Sequence, residues 1–448
     1  QIDAANAEVL HRLDTAIPIL TGVRTAGEVV AGLEGRALLH PGPAMRLGQV
    51  NDPLRRSMRA AIVAEGWAET VEQADALLTS GEITLLPANE SDVVVPMATV
   101  MGPRTPVWVV EAEAGGATTS RAFAPLGQGS GDVAWFGRDT PGACERLIFL
   151  RDAVAPVLSA AVRDSDPVDV FSFAAQGVAM GDDVHVRTQA TTNLLLRHLL
   201  PALVAGDHPR RVEVARFLSG NYLLFLSLAM AAARAVTAWA GQVEGASVVT
   251  TMARNGTQFG TKLSGNSEWF IAPAPMVGHA LYHPGKGEAD SAPDIGDSSV
   301  LERIGLGGAA AAGSPAVGQL VGGLAGASGL TTDGWIPVNP HTLETPFPDV
   351  YAVGDITSVG TPKAGVFAEG QAAIVASRIA ARIDPSRHGQ EYDGHGLCYL
   401  EFGHDMVAKV DVTFTPGASP VGSIEGPSAD LVTDKAAFGS TRIARWFG

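Results

Sequence analysis

Cysteine is nearly absent from this chain: Cys144 and Cys398 are the two in 448 residues. A pair so far apart in sequence excludes a disulfide framework, a cysteine zinc site and Cys-x-x-Cys redox exchange, and it suggests a reducing compartment, the cytoplasm. Lysine is almost as scarce, at positions 262, 286, 363, 409 and 435. With none in the first half, Schiff-base chemistry and a Walker-type phosphate loop are excluded there. Positive charge is short overall, 31 Lys and Arg against 47 Asp and Glu for a net −16. Such a surface repels phosphate backbones, so no nucleic-acid partner is expected. No apolar run is long enough for a transmembrane segment, which needs about 18 residues. The most apolar helix, Tyr222 to Ala233, meets Arg234 and reads as buried. The N-terminus shows no basic-then-apolar leader pattern. Histidines do not cluster: Asp182, Asp183 and His185 lack the second histidine that a metal site would want, so no metal is assigned.

What is present is core material. Hydrophobic residues make up 46% and glycines number 52, which fits a mixed α/β and α+β chain of two or three domains. Residues 1–150 read as an α/β domain. Helices are expected at 4–20, 55–66 and 71–79, and strands at 36–40, 82–86, 93–95 and 105–111. The glycine-rich run 115–131 reads as a mobile loop. Arg55, Arg56 and Arg59 sit near a helix start, where they oppose the dipole unless an acid lies close; a solvated face is the simpler expectation. His40-Pro41-Gly42-Pro43 reads as a stiff strand-to-helix connection. Residues 151–242 have helical periodicity throughout. Gly305 to Ala310 has the spacing of a dinucleotide loop, but 298–304 reads as a helix where that motif requires a strand.

Residues 243–322 form a strand-and-loop region, with the chemistry concentrated in Gly245 to Ser299. A strand at 246–251 runs into Arg254-Asn255-Gly256-Thr257, a turn pattern with ligand-facing residue types; a plain hairpin turn is the competing reading. Lys262, Trp269 and the acidic Pro293-Asp294-Ile295-Gly296-Asp297 follow. Arg254 and Lys262 would supply positive charge to a small anionic substrate, with Gly256, Asp294 and Asp297 as further binding residues. Asn255, Thr257 and the Gly256 amide are candidate donors to a developing oxyanion, and His185 a candidate proton carrier.

The segments GRALLHPGPA, SGEITLLPANES, VVPMATVMGPRTPVWVVE, MGDDVHVRT, VVTTMARNGTQFG, WFIAPAP and PDIGDSS, in this order, resemble the YlbE-like family (domain of unknown function 1116) over about residues 5–322. That family includes an oxamate carbamoyltransferase subunit. The resemblance implies phosphorolysis of oxalurate to oxamate and carbamoyl phosphate in allantoin catabolism, with phosphate as co-substrate, partner subunits, and no cofactor for this part.

Beyond residue 323, TPFPDVYAVGD and PKAGVFAEGQAAIVASRIAARI resemble the C-terminal third of flavin-dependent pyridine-nucleotide oxidoreductases, in the sulfide:quinone oxidoreductase and flavocytochrome-c sulfide dehydrogenase branch. The resemblance places Gly354, Asp355, Lys363, Ala364 and Gly365 at an FAD. A buried strand, 350–353, is expected to deliver Asp355. The N-terminal Rossmann half that would bind the pyrophosphate is missing, so this is a half-site from which little FAD binding by this chain alone is expected. A join is expected within Val321 to Ala327. Three readings stand: a carbamoyltransferase subunit with a passenger tail, a flavin oxidoreductase completed by another chain, and a non-catalytic assembly module.

Overall fold

In a computed structural model, residues 2–276, 292–311, 335–384, 386–416 and 418–447 are described. Residues 277–291, within the loop-rich stretch, and the expected join at 321–327 lie outside them. The chain divides into two compact units, Gln1–Gly318 and Gln319–Gly448.

The N-terminal unit is organised around α10 (Leu224–Ala240), which is buried on nearly every face. Its sequence, LFLSLAMAAARAVTAWA, explains this: small Ala and Ser positions let neighbours approach closely, while Leu, Phe and Met fill the gaps between them. It packs on β4 (Pro106–Ala114) and β5 (Ala117–Pro125). These belong to an antiparallel sheet ordered β5-β4-β1-β6, with β1 at Ile17–Thr25 and β6 at Val168–Asp169. Around α10 lie α1 (Ile2–Thr15), α7 (Val170–Ala179) and α8 (Gln189–Ala205). One core therefore draws on residues from Ala16 to Leu301. A second sheet, ordered β10-β7-β8-β9, comprises β7 (Val249–Asn255), β8 (Gln258–Leu263), β9 (Phe270–Pro273) and β10 (Ile295–Gly296). A short parallel pair, β2 (Ala37–His40) and β3 (Thr84–Pro87), is flanked by α3 (Asp52–Glu65) and α4 (Val71–Ser80).

Several expectations change. The run 115–131 is not all loop: β4 and β5 form a hairpin across Gly115-Gly116, both with positive φ. A two-residue Gly-Gly turn is a hairpin signal that outweighs overall glycine content. The first helix ends at Thr15, because 17–25 alternates into β1. Residues 298–304 make two short 3-10 turns in place of a helix. The arginines at the start of α3 are paired: Arg55 with Asp75 at 2.7 Å, Arg56 with Asp52, and Arg59 with Asp75 and Asp139. As the helical periodicity of 151–242 implies, α10 runs on through Arg234 and encloses it. No single described helix is long and apolar enough to cross a membrane.

The C-terminal unit has a three-stranded antiparallel sheet, β11 (His395–Gly403), β12 (Met406–Thr413) and β13 (Val421–Ser428), with α12 (Gly365–Ile383) against β11. Helix α13 (Leu431–Phe447) packs on β12 and β13. The buried strand expected at 350–353 is absent: Tyr351 makes one isolated bridge to Glu344, and Val350 and Val353 are exposed.

Candidate functional site

Three loops of the N-terminal unit meet at Asp297. Its carboxylate accepts the Gly42 N–H on Oδ1 and the Val95 N–H on Oδ2, both at 3.0 Å, and its own N–H donates to Val95 O at 2.9 Å. One buried carboxylate thus ties 41–43, 93–97 and 294–299 together. The approach is close enough to require glycine. A Cβ on Gly42 would fall 2.5 Å from Asn255 N, and one on Gly296 2.6 Å from Met97 N. Both glycines also have positive φ. Burial pushes the Asp297 carboxyl up to about 7, against the pull of its two N–H donors and of Arg254.

Around this clamp stand three arginines. Arg254, on β7, donates from Nη1 to Asp294 Oδ2 at 2.7 Å and from Nε to Gly296 O at 3.3 Å. Arg234, on α10, donates to Asp92 Oδ1 (2.7 Å), Asn89 O (3.1 Å) and Thr251 Oγ1 (3.1 Å). Arg303 lies in the second 3-10 turn. Its stem reaches the surface, yet Nε, Nη1 and Nη2 are sealed and hydrogen-bond to no described residue. Burial lowers it to about 9, which still leaves it charged at neutral pH. Asn89 lies beside Asp297, with neither end of its side-chain amide in a well-formed hydrogen bond.

The predicted residues come together in part. Arg254, Asn255, Gly256, Asp294 and Asp297 share this centre, but most face one another. Asn255 is fully buried. Its Oδ1 accepts from the N–H of Thr257 and Gln258 and from Thr257 Oγ1, and its Nδ2 donates to Pro43 O at 3.1 Å. Asn255 and Thr257 are therefore committed to the β7–β8 turn and do not present donors to a ligand. Gly256 has φ +87 and accepts from Asn51 Nδ2 through its carbonyl. The plain hairpin describes this turn, except that Arg254 is not solvated. Lys262 stands apart, paired with Glu90 at 2.7 Å and 4.8 Å from the Trp269 ring. With Arg234, Asp92 and Arg121 it lines a groove of about 360 Å³. His185 Nδ1 lies 2.9 Å from Glu302 Oε1, which fixes the imidazole; burial raises Glu302, but His185 and the Glu302 and Gly308 amides together outweigh it and the net shift is downward. Asp182 and Asp183 are structural acceptors, Asp183 for the His185 and Arg187 amides. Among the described residues no group of His, Cys, Asp and Glu is placed to hold a metal.

Sequence reasoning passed over Arg234, Asn89, Glu302 and Arg303. For Arg234 a signal existed: a lone charge within an apolar 17-residue helix needs a partner, here Asp92. Arg303 carried no such mark.

In the C-terminal unit, Gly354 N–H is taken by Gln371 Oε1 at 2.6 Å, and Asp355 lies exposed in a turn. Lys363 Nζ donates to Thr357 O and sits 4.2 Å from the Trp335 ring. Ala364 and Gly365 begin α12, without a side-chain cap. A glycine whose amide is already bonded, and a carboxylate with no strand behind it, do not form a flavin cradle. The residues present do not fit the group.

Known proteins share the part of the chain that carries this geometry. Residues 83–298 match the family model described as oxamate carbamoyltransferase subunit AllG. Over 323 residues the chain is 37% identical to the oxamate carbamoyltransferase subunit AllG of Escherichia coli (strain K12), covering 71% of this chain and 76% of that one. The chain belongs to the AllG family. The AllG match spans the loop 87–92, α10 and the β7–β8 hairpin, and ends just short of Arg303. The uncharacterized protein YahG of the same organism is 33% identical over 326 residues, 72% of this chain and 68% of YahG. A crystal structure of a conserved protein of unknown function from Enterococcus faecalis V583 superposes with a TM-score of 0.69 at 27% identity, covering 97% of each chain. The flavoprotein likeness is much narrower. Mitochondrial sulfide:quinone oxidoreductase of Mus musculus is 28% identical over 83 residues, 18% of each chain.

Proposed function

We propose that this chain is a subunit of an oxamate carbamoyltransferase acting on oxalurate in allantoin catabolism, together with partner subunits. A phosphate oxygen attacks the terminal ureido carbonyl. The C–N bond to the oxamyl nitrogen breaks, that nitrogen takes a proton, and oxamate and carbamoyl phosphate leave. The observation that carries this reading is the 37% identity extending through 76% of the E. coli AllG subunit. The site chemistry agrees with what the reaction demands. Two anions must be brought together, which needs positive charge not already spent on carboxylates; Arg234 and Arg254 are paired with Asp92 and Asp294, Arg303 has no acceptor among the described residues, and burial biases Asp297 toward its neutral form. The departing nitrogen needs a proton, and His185, oriented by Glu302, is the group we assign to deliver it. Arg254, Asn255, Gly256, Thr257 and Asp294 then act as positioning residues that hold the Asp297 loop. Lys262 belongs to the groove at Asp92 and Arg234, an approach path for an anion.

The test is assembly with readout. The chain is mixed with the partner subunits of an oxamate carbamoyltransferase, and carbamoyl phosphate is measured with oxalurate and phosphate supplied. Co-elution and activity that vanish when the chain is omitted are expected. A partner pair equally active without it would defeat the reading. We also infer that the C-terminal unit does not retain FAD on its own, because its candidate amide and carboxylate are committed or unsupported.

A further inference from the structure

Arg303 poses a physical problem that the fold itself leaves open. Guanidinium nitrogens sealed from water normally find carboxylates or carbonyls, since an unpaired buried charge is strongly destabilising. Here none of the three nitrogens reaches a described acceptor. The nearby acids make no bond to it. Asp297 spends both oxygens on the Gly42 and Val95 amides, Glu302 Oε1 is held by His185, and Glu302 Oε2, buried and itself without a partner among the described residues, does not bond Arg303. Arg234, a second cation within electrostatic range, repels Arg303. Arginine does not escape by losing its proton. Arg234 also keeps a buried Nε without an acceptor. Two buried guanidiniums within electrostatic range of each other, one of them without any described acceptor, describe a receptor for an oxyanion.

We propose that Arg303, with Arg234 near it, forms an oxyanion-binding site, built for a carboxylate or phosphate group gripped by the Arg303 fork. The planar fork matches two oxygens of either group. Choosing oxamate and phosphate as probes rests on the carbamoyltransfer reading; the site itself does not. The two fail separately, because oxyanion binding without turnover would sink that reading and leave the site standing.

The experiment is thermal denaturation of the full chain in Tris chloride, titrated with inorganic phosphate, with oxamate, or with added chloride as control. Wild type is expected to show a saturable rise in melting temperature with at least one oxyanion, beyond the chloride response. A response to phosphate alone assigns the site to phosphate, and one to oxamate alone assigns it to the carboxylate. The Arg303→Met variant, freed of a buried charge, is expected to fold and to lose the response. Arg303→Lys, which keeps charge without the fork, is expected to bind about tenfold or more weakly. Should Arg303→Met not fold, the wild-type titration and Arg303→Lys decide. Wild type indifferent to both oxyanions, or either variant responding as wild type does, overturns the proposal.

Discussion

The two units of this chain use apolar residues in opposite ways. In the N-terminal unit, Trp108, Trp135, Phe225 and most of α10 are wholly enclosed, and several polar groups trapped with them bond the backbone, as Asp297 does the Val95 amide and Gln128 the Trp135 amide. In the C-terminal unit the enclosed cluster is small, centred on Leu343, Val359 and Tyr392. Large apolar side chains meanwhile face outward: Phe402 at 59%, Ile424 at 70% and Val421 at 76% exposure. A unit with a closed core can support a buried polar centre, because desolvation gives each charge there a specific consequence. Among its described residues the second unit shows no comparable interior. That contrast places the candidate chemistry in the first unit and agrees with the extent of the AllG match.

The contrast can be sharpened by substitution. The largest effect belongs to α10. Phe225→Ala should cost the N-terminal unit about 3–5 kcal/mol, read from its denaturant midpoint. A loss below about 1 kcal/mol would mean that the helix is not the keystone. Next is Asp297→Ala, which leaves the Gly42 and Val95 amides buried without acceptors and should cost about 2–4 kcal/mol. It should also abolish activity in the assembled enzyme, since the three loops lose their tie.

A smaller effect concerns pH. Burial raises Glu65, which accepts the Arg104 N–H, to about 7, as it does Asp297. Their protonated forms are favoured in the folded unit. Stability is therefore full below the ordinary carboxyl range, falls as pH rises toward 7, and levels off above it. The slope is at most about 1.4 kcal/mol per pH unit for each group. Glu65→Gln should flatten its share, and an unchanged slope would show that Glu65 does not titrate this way. The smallest effect is expected in the second unit: Ile424→Thr, on the exposed face of β13, should move stability by no more than about 0.5 kcal/mol. A cost like that of Phe225→Ala would erase the contrast. So would a flavin absorption band retained after incubation with FAD and desalting.

Much of the first unit is legible in the sequence because burial and periodicity agree there. The helices at 55–66 and 71–79 and the strand at 36–40 declare themselves by apolar spacing and by caps such as Gly66. The site is legible as a region and not as an arrangement. Asn255-Gly256 announces a turn, but no local pattern says that Asn255 points inward to hold Pro43. Arg254 reads as a ligand-facing cation, whereas its partner Asp294 stands 40 residues on, across the β7–β10 pairing. Arg303 is invisible in sequence because its importance lies in what fails to surround it, a tertiary property. In the second unit, 350–353 has the composition of a strand; with no neighbouring strand to pair with, it forms one bridge.

The central claim is that this chain works as a carbamoyltransferase subunit, and phosphorus NMR tests it most directly. The chain, its partner subunits, oxalurate and inorganic phosphate are combined and followed over time. The account predicts a carbamoyl phosphate resonance that grows at the expense of phosphate and disappears when this chain is left out. A spectrum holding phosphate alone, from a complex shown to have assembled, would contradict it.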